Sequence, residues 1–149
     1  MRVEDVYDTG IDDLWSAITD PARLARWVAA VDGDLRVGGR VQATFTSGWE
    51  GSGRIDICDP PRRLLVTFQP GTADETVQEA VLVPMGDAKT RLVVEERGMP
   101  FDGIADYGAG WQAHVEDLAA HLSGHRPSVW QDRWAQLSPA YQRLAAELP

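Results

Sequence analysis

Between residues 40 and 97 apolar side chains recur at every second position in five successive segments. In "RVQATFT", Val41, Ala43 and Phe45 alternate with Arg40, Gln42, Thr44 and Thr46. "SGRIDIC" repeats the pattern with Ile55 and Ile57 inward and Arg54 and Asp56 outward, and after the turn "DPPRR" the stretch "LLVTFQ" offers Leu64, Val66 and Phe68. "TVQEAVLVP" and "KTRLVVEER" follow around the turn "MGDA". Side chains of a strand point alternately to its two faces, so each segment has one apolar and one polar face. Short turns between such strands predict an antiparallel meander with one covered face. "DLRV", leading into Gly38-Gly39, and "VEDVYD", over roughly residues 2 to 8, are two further short strands by the same criterion.

The period changes where that face must be covered. In "TGIDDLWSAIT", Leu14, Trp15 and Ile18 share a helical face, and Thr9 with Asp12 resembles a capping box. "TDPARLARWVAA" begins a second short helix, with Asp20 as cap, Pro21 at its first position and a stripe of Leu24, Trp27 and Val28. "GWQAHVEDLAAHL" is the long helix: at 100° per residue Trp111, Val115, Leu118 and Leu122 form one stripe. Tyr107, His114 and His121 run along its flank beside Gly110, and Ser123-Gly124 ends it. In the tail, "SVWQDRWAQL" carries a Ser-x-x-Gln cap and "SPAYQRLAAEL" restarts at Ser138-Pro139. Trp130, Trp134, Leu137, Tyr141, Leu144 and Leu148 keep helical spacing across both. The expected division is a domain over 1–124 and an amphipathic helical tail over 125–149, packed on that domain or on a partner.

Composition excludes several functions. The net charge of −9, from 14 basic and 23 acidic side chains, repels phosphate backbones and disfavours nucleic acid. The single cysteine, Cys58, cannot form an internal disulfide, and no cysteine spacing suits a metal. No apolar run approaches a membrane span, and the charged start "MRVEDVYDTG" is no signal peptide, so a cytoplasmic protein is expected. No nucleophile motif or phosphate-binding glycine loop occurs, and no cofactor is expected; the glycines of "RVGGR" have hairpin spacing.

The order strand, two short helices, six strands, long helix, together with "LWSAITDPARLARW", "DLRVGGRV", "GSGRIDICDPPRRLLVTF", "TRLVVEERGM" and "GWQAHVEDLAAHL", resembles the START-like (SRPBCC) superfamily. The nearest branch is the one named for homology to the activator of the heat-shock-protein-90 ATPase. The resemblance spans roughly residues 2 to 123 and rests on the five stretches in their order, none of them sufficient alone. It implies an α+β helix-grip fold, a curved antiparallel sheet wrapped around the long C-terminal helix. It also implies a cavity between sheet and helix in which many members bind apolar or aromatic small molecules. A minority of the superfamily are enzymes such as polyketide cyclases. The separate chaperone-binding domain of the co-chaperone that gives the branch its name is not expected in this sequence.

The expected cavity walls are Trp15, Trp27, Phe45, Phe68, Tyr107, Trp111, His114 and Val115. Trp111 is either a core anchor or a wall, and His114 either a half-buried histidine bonded to a neighbour or a base. Gly110 weakens a helix by about 1 kcal/mol relative to alanine, which close approach of its backbone to the sheet or a ligand would explain. If the hairpin turns at residues 85 to 88, Glu79 lies diagonal to Glu96 on an apolar face, where one of the two would gain an elevated pKa suited to acid–base work. A register one residue different removes that pair and leaves both in water. His121 and His125 lie across a helix end with no third ligand, so no metal site is expected. Three functions follow as expectations: binding of a small apolar or aromatic molecule, a cyclase- or dehydratase-type enzyme using Glu79, Glu96 or His114, or an interaction protein, co-chaperone-like or dimeric. In the last, Trp130, Trp134 and Tyr141 form a homodimer contact.

Overall fold

The computed structural model describes residues 1–148. Seven strands, β1 (Arg2–Tyr7), β2 (Ala29–Gly33), β3 (Arg40–Phe45), β4 (Glu50–Asp59), β5 (Arg63–Phe68), β6 (Thr76–Pro84) and β7 (Thr90–Arg97), form one antiparallel sheet. Its order is β1-β7-β6-β5-β4-β3-β2, a meander whose first strand closes onto the last. Helices α1 (Ile11–Thr19) and α2 (Pro21–Leu24) follow β1, and α3 (Ile104–Leu122) and α4 (Trp130–Ala146) follow the sheet. Among the described residues no helix is long and apolar enough to cross a membrane.

The alternating positions supply the covered face. Val41, Ala43, Ile55, Leu82, Leu92 and Val94 are buried, and Leu14, Ala17, Trp27 and Leu118, from α1, the segment after α2, and α3, form one core cluster with Leu82, Leu92 and Val94. The Tyr7 hydroxyl donates to the Val115 carbonyl at 3.2 Å, fastening β1 to α3. Asp20 caps α2 as expected, its Oδ1 accepting from the amides of Ala22 at 2.8 Å and Arg23 at 3.2 Å. Removing that acceptor should destabilise the fold: Asp20→Ala is expected to cost about 1 kcal/mol in chemical denaturation. Gly124, at φ +74°, closes α3 in the left-handed region that glycine tolerates best.

Several local expectations are corrected. Thr9 does not cap α1; its hydroxyl bonds Asp13 Oδ2 at 2.7 Å, and Gly10 takes the cap position. The second strand is Ala29–Gly33, not "DLRV", whose Leu35 and Val37 stand exposed in the connection to β3. In β4 the register with β5 shifts between Ile55 and Ile57. The extra residue pairs Ile57 with Leu65, on the outer face, and brings Cys58 opposite Leu64 on the inner one. Ser128 does not cap α4; its amide and hydroxyl both donate to Asp117 Oδ1 at 2.8 Å.

The tail is one helix, not two. Pro139 sits inside α4, and the Ser138 hydroxyl donates to the Trp134 carbonyl at 2.9 Å just before it. The missing amide is tolerated because α4 is held along α3 by a small apolar cluster of Ala109, Ala113 and Leu137, flanked by Trp130, Trp134 and Tyr141. Polar links reinforce the seam: Tyr141 to Gln112 at 2.8 Å and Arg133 to Glu116 at 2.6 Å. The three aromatic residues expected at a homodimer contact thus lie against α3 of their own chain.

Candidate functional site

Helix α3 spans the concave face of the sheet without filling it. A space of about 160 Å³ remains over the sheet centre, lined by Ile18, Leu24, Trp27 and strand residues including Cys58 and Leu64. A larger one, about 790 Å³, opens at the end of the grip where the β3–β4 turn, the ends of β6 and β7, the first half of α3 and the first turns of α4 converge. Phe45, Phe68, Gln78 and Trp111 line both.

The larger cavity is walled by aromatic rings in edge contact. Phe45, Trp49 and Phe68 form a trio with centroids 5.4–5.8 Å apart. Trp49 belongs to the turn entering β4, and its ring folds over Gly51, where any side chain would collide with it. Phe45 meets His114 at 6.0 Å, and His114 in turn meets Trp111 at 5.6 Å and Trp130 at 5.5 Å. Trp130 and Trp134, one turn apart on α4, are stacked at 6.1 Å and complete the opposite wall.

Two polar groups are set into this surface. Glu96, on the inner face of β7, is buried, and its Oε2 accepts the Trp111 indole N–H at 2.6 Å. Burial pushes its carboxyl up from the ordinary value, opposed by the hydrogen bonds from Trp111 and Thr76 and by the nearby amino terminus. His114 is 4% exposed, and its Nδ1 has no hydrogen-bond partner. Burial lowers its pKa to about 4, so the imidazole is neutral at physiological pH. Tyr107 is pushed up by burial, and then by the charges of Glu96 and Asp74.

The residues expected at the cavity divide. Tyr107 and His114 line the larger space, Trp27 the smaller, and Phe45, Phe68 and Trp111 both. Trp15 and Val115 line neither. Trp15 packs at the margin of the main core, and Val115 is buried, its backbone carbonyl accepting from the Tyr7 hydroxyl. Glu79 and Glu96 do not pair. The hairpin loop is one residue longer than expected, with Pro84 opposite Thr90, so Glu79 faces Glu95 and Glu96 faces Gln78. Glu79 therefore lies on the outer face, bound to Arg63 at 2.7 Å and Arg97 at 2.9 Å, which hold its carboxyl below the usual range. His121 accepts from Arg23 Nε at 3.2 Å, outside either space.

Gly110 does mark a close approach, but to α4: a Cβ there would lie 3.1 Å from the Trp130 ring. That approach brings Trp130, Gln131 and Trp134 into the wall, residues that the sequence pattern places only in a tail. Gln131 Nε2 also donates to the Thr46 carbonyl at 3.1 Å, tying α4 to the β3–β4 turn.

A curved antiparallel sheet gripping a C-terminal helix, with an aromatic cavity between them, defines a START-like helix-grip protein. Within that class the chain belongs to the Activator of Hsp90 ATPase homolog 1-like protein family, whose model matches residues 8–123. Its structure is similar to the crystal structure of CalU16 from Micromonospora echinospora, with 28% identity, a TM-score of 0.78, and coverage of 97% of this chain and 86% of that one. It is also similar to DynU16, a protein of the dynemicin biosynthetic locus, with 28% identity, a TM-score of 0.75, and coverage of 85% of this chain and 48% of that one. The chain thus matches about half the length of DynU16. The Plasmodium falciparum Hsp90 activator PFC0360w shares the fold at 17% identity and a TM-score of 0.69, with 83% of this chain and 95% of that one covered. No curated protein matches.

Proposed function

We infer that this protein binds a small apolar or aromatic molecule between its sheet and α3, to sequester, sense or carry it. The observation that carries this reading is the cavity of about 790 Å³ walled by Phe45, Phe68, Trp111, His114 and Trp130. Its volume lies within the range of small-molecule sites, and mostly apolar walls with a few fixed polar groups are what such sites use. DynU16, whose gene lies in a biosynthetic locus, supports a small organic ligand for a chain of this type. A neutral pyrenylmethanol probe tests the reading. Binding is expected in the wild type, with quenching of tryptophan fluorescence, and at least about tenfold weaker binding in Gln78→Trp, which fills the space from the shared wall. No binding, or equal binding by the filled variant that remains folded, would overturn it.

A second reading, acid–base catalysis of the cyclase or dehydratase type, draws on Glu96 and His114 lining one cavity. It requires that a molecule co-purified with the protein change mass on incubation, and that Glu96→Gln, still folded, abolish the change.

A further inference from the structure

The larger cavity is unbalanced in charge. Among the described residues its lining includes Asp74, Asp106 and Glu96 but no lysine or arginine. The three carboxylates occupy different depths. Glu96 is interior and engaged by Trp111, whereas Asp74 and Asp106 are exposed at the rim. Tyr107 follows Asp106 in α3 and lines the same cavity as Asp74 and Glu96. Trp134 is fixed next to Asp106, its indole N–H donating to the Asp106 carbonyl at 3.3 Å. The rim therefore combines two carboxylates with two aromatic faces.

Nearby cations do not enter this lining. The amino terminus donates to the Glu96 backbone carbonyl at 2.9 Å, and Arg97 is engaged on the outer face by Glu79 and Glu95. His114 in the wall adds no positive charge to the interior, since burial keeps its imidazole neutral, and its unpartnered Nδ1 is itself covered. A neutral imidazole imposes no positive charge on an occupant.

Resting on the reading above, we propose that the ligand is an aromatic molecule carrying a protonated amine. Its rings are seated among Phe45, Phe68 and Trp111, and its ammonium lies at the rim between Asp74, Asp106 and the faces of Tyr107 and Trp134. An ammonium gains from both kinds of group, the ring quadrupole and the carboxylate charge. A carboxylate or phosphate at the same place would meet like charge with no counter-ion, and the overall charge of −9 repels it on approach. Discrimination thus comes from repulsion of anions as much as from attraction of cations.

Three probes of one shape separate the possibilities: pyrenylmethylammonium, pyrenylmethanol and pyrenecarboxylate, titrated at low salt and neutral pH. The ammonium is expected to bind about tenfold tighter than the alcohol, with the carboxylate weakest. In an Asp74→Asn, Asp106→Asn double variant the ammonium-to-alcohol ratio is expected to fall several-fold, the remainder coming from the aromatic faces. Both aspartates are exposed, so the variant is expected to fold. Alcohol binding as tight as ammonium binding, or a ratio unchanged by the double substitution, would overturn the charge preference and leave the cavity reading standing. Failure of all three probes to bind would overturn the cavity reading and this inference with it.

Discussion

Trp111→Phe is expected to lower stability by about 3 kcal/mol at pH 7 and by clearly less at pH 4. The substitution removes the indole N–H that Glu96 Oε2 accepts at 2.6 Å, inside the protein. A hydrogen bond to a buried charged group contributes roughly 1.5–3 kcal/mol, and the smaller ring adds a packing loss. The pH dependence distinguishes the two losses. The Glu96 carboxyl already lies above its ordinary 4.5 because of burial, and the Trp111 bond is one of the influences holding it down. Without that bond the folded-state pKa rises further above the unfolded value. A folded state that holds its proton more tightly loses stability as pH rises from the unfolded pKa through the folded one. The unfolded value is common to both proteins, so the extra penalty is absent below the wild-type folded pKa and complete above the variant's. His114 works in the opposite sense: its folded value of about 4 lies below the ordinary 6.5, so its protonation destabilises the fold as pH falls through that window. That contribution is common to wild type and variant, and it cancels to first order when the difference is taken at each pH. Urea denaturation of both proteins at pH 4 and pH 7 is the measurement. A difference that does not change with pH would mean that Glu96 carries no charge in the folded protein at pH 7.

Much of this architecture is legible in the sequence, and the exceptions share a cause. The period-two segments, the Asp20-Pro21 start, the 100° stripe and Gly124 are local signals that lie at the places where the elements form. What escapes is whatever turns on a single residue of register. The shift at Ile55/Ile57 moves Cys58 to the inner face, and one additional residue in the β6–β7 loop sends Glu79 outward while keeping Glu96 inside. The shift in β4 has no glycine or proline at its site, and Gly86 marks the β6–β7 turn without fixing its length; a one-residue slip inverts every face that follows. The site is legible to a similar depth. Aromatic residues on inner faces identify Phe45, Phe68, Tyr107 and Trp111 as wall residues. Periodicity cannot say which residues of an apolar stripe meet a void and which meet other side chains, so Trp15 and Val115 look the same as the rest. Trp130 and Trp134 reach the wall only through tertiary packing, of which Gly108 and Gly110 are the one local trace.

Those glycines carry the second large effect. Replacing Gly108 by leucine in an isolated helix would favour helicity by roughly 1 kcal/mol. In the protein it is expected to destabilise by about 2 kcal/mol, because packing outweighs propensity. A Cβ at position 108 would lie 2.6 Å from Cδ1 and Cε1 of Tyr141. That ring has little freedom to retreat, since its hydroxyl is held by Gln112 at 2.8 Å. The remainder of the leucine side chain makes the overlap larger, and the least costly relief is for α4 to lift away from α3. The rest of the α4 seam is modest: a cluster of Ala109, Ala113 and Leu137, the Arg133–Glu116 pair, and the Ser128–Asp117 bonds. The main core lies elsewhere, between the sheet and the opposite face of α3, so the helix-grip body should survive. Lifting α4 withdraws Trp130 and Trp134 from the cavity, so Gly108→Leu is expected to weaken pyrenylmethanol binding as well as stability. Limited proteolysis should show the connection at residues 123–129 cut faster in the variant, with the fragment ending near residue 124 still folded. If cleavage and binding were both unchanged, α4 would not be a wall of the site, and the aromatic stripe of the tail would have to act somewhere other than on the cavity beside it.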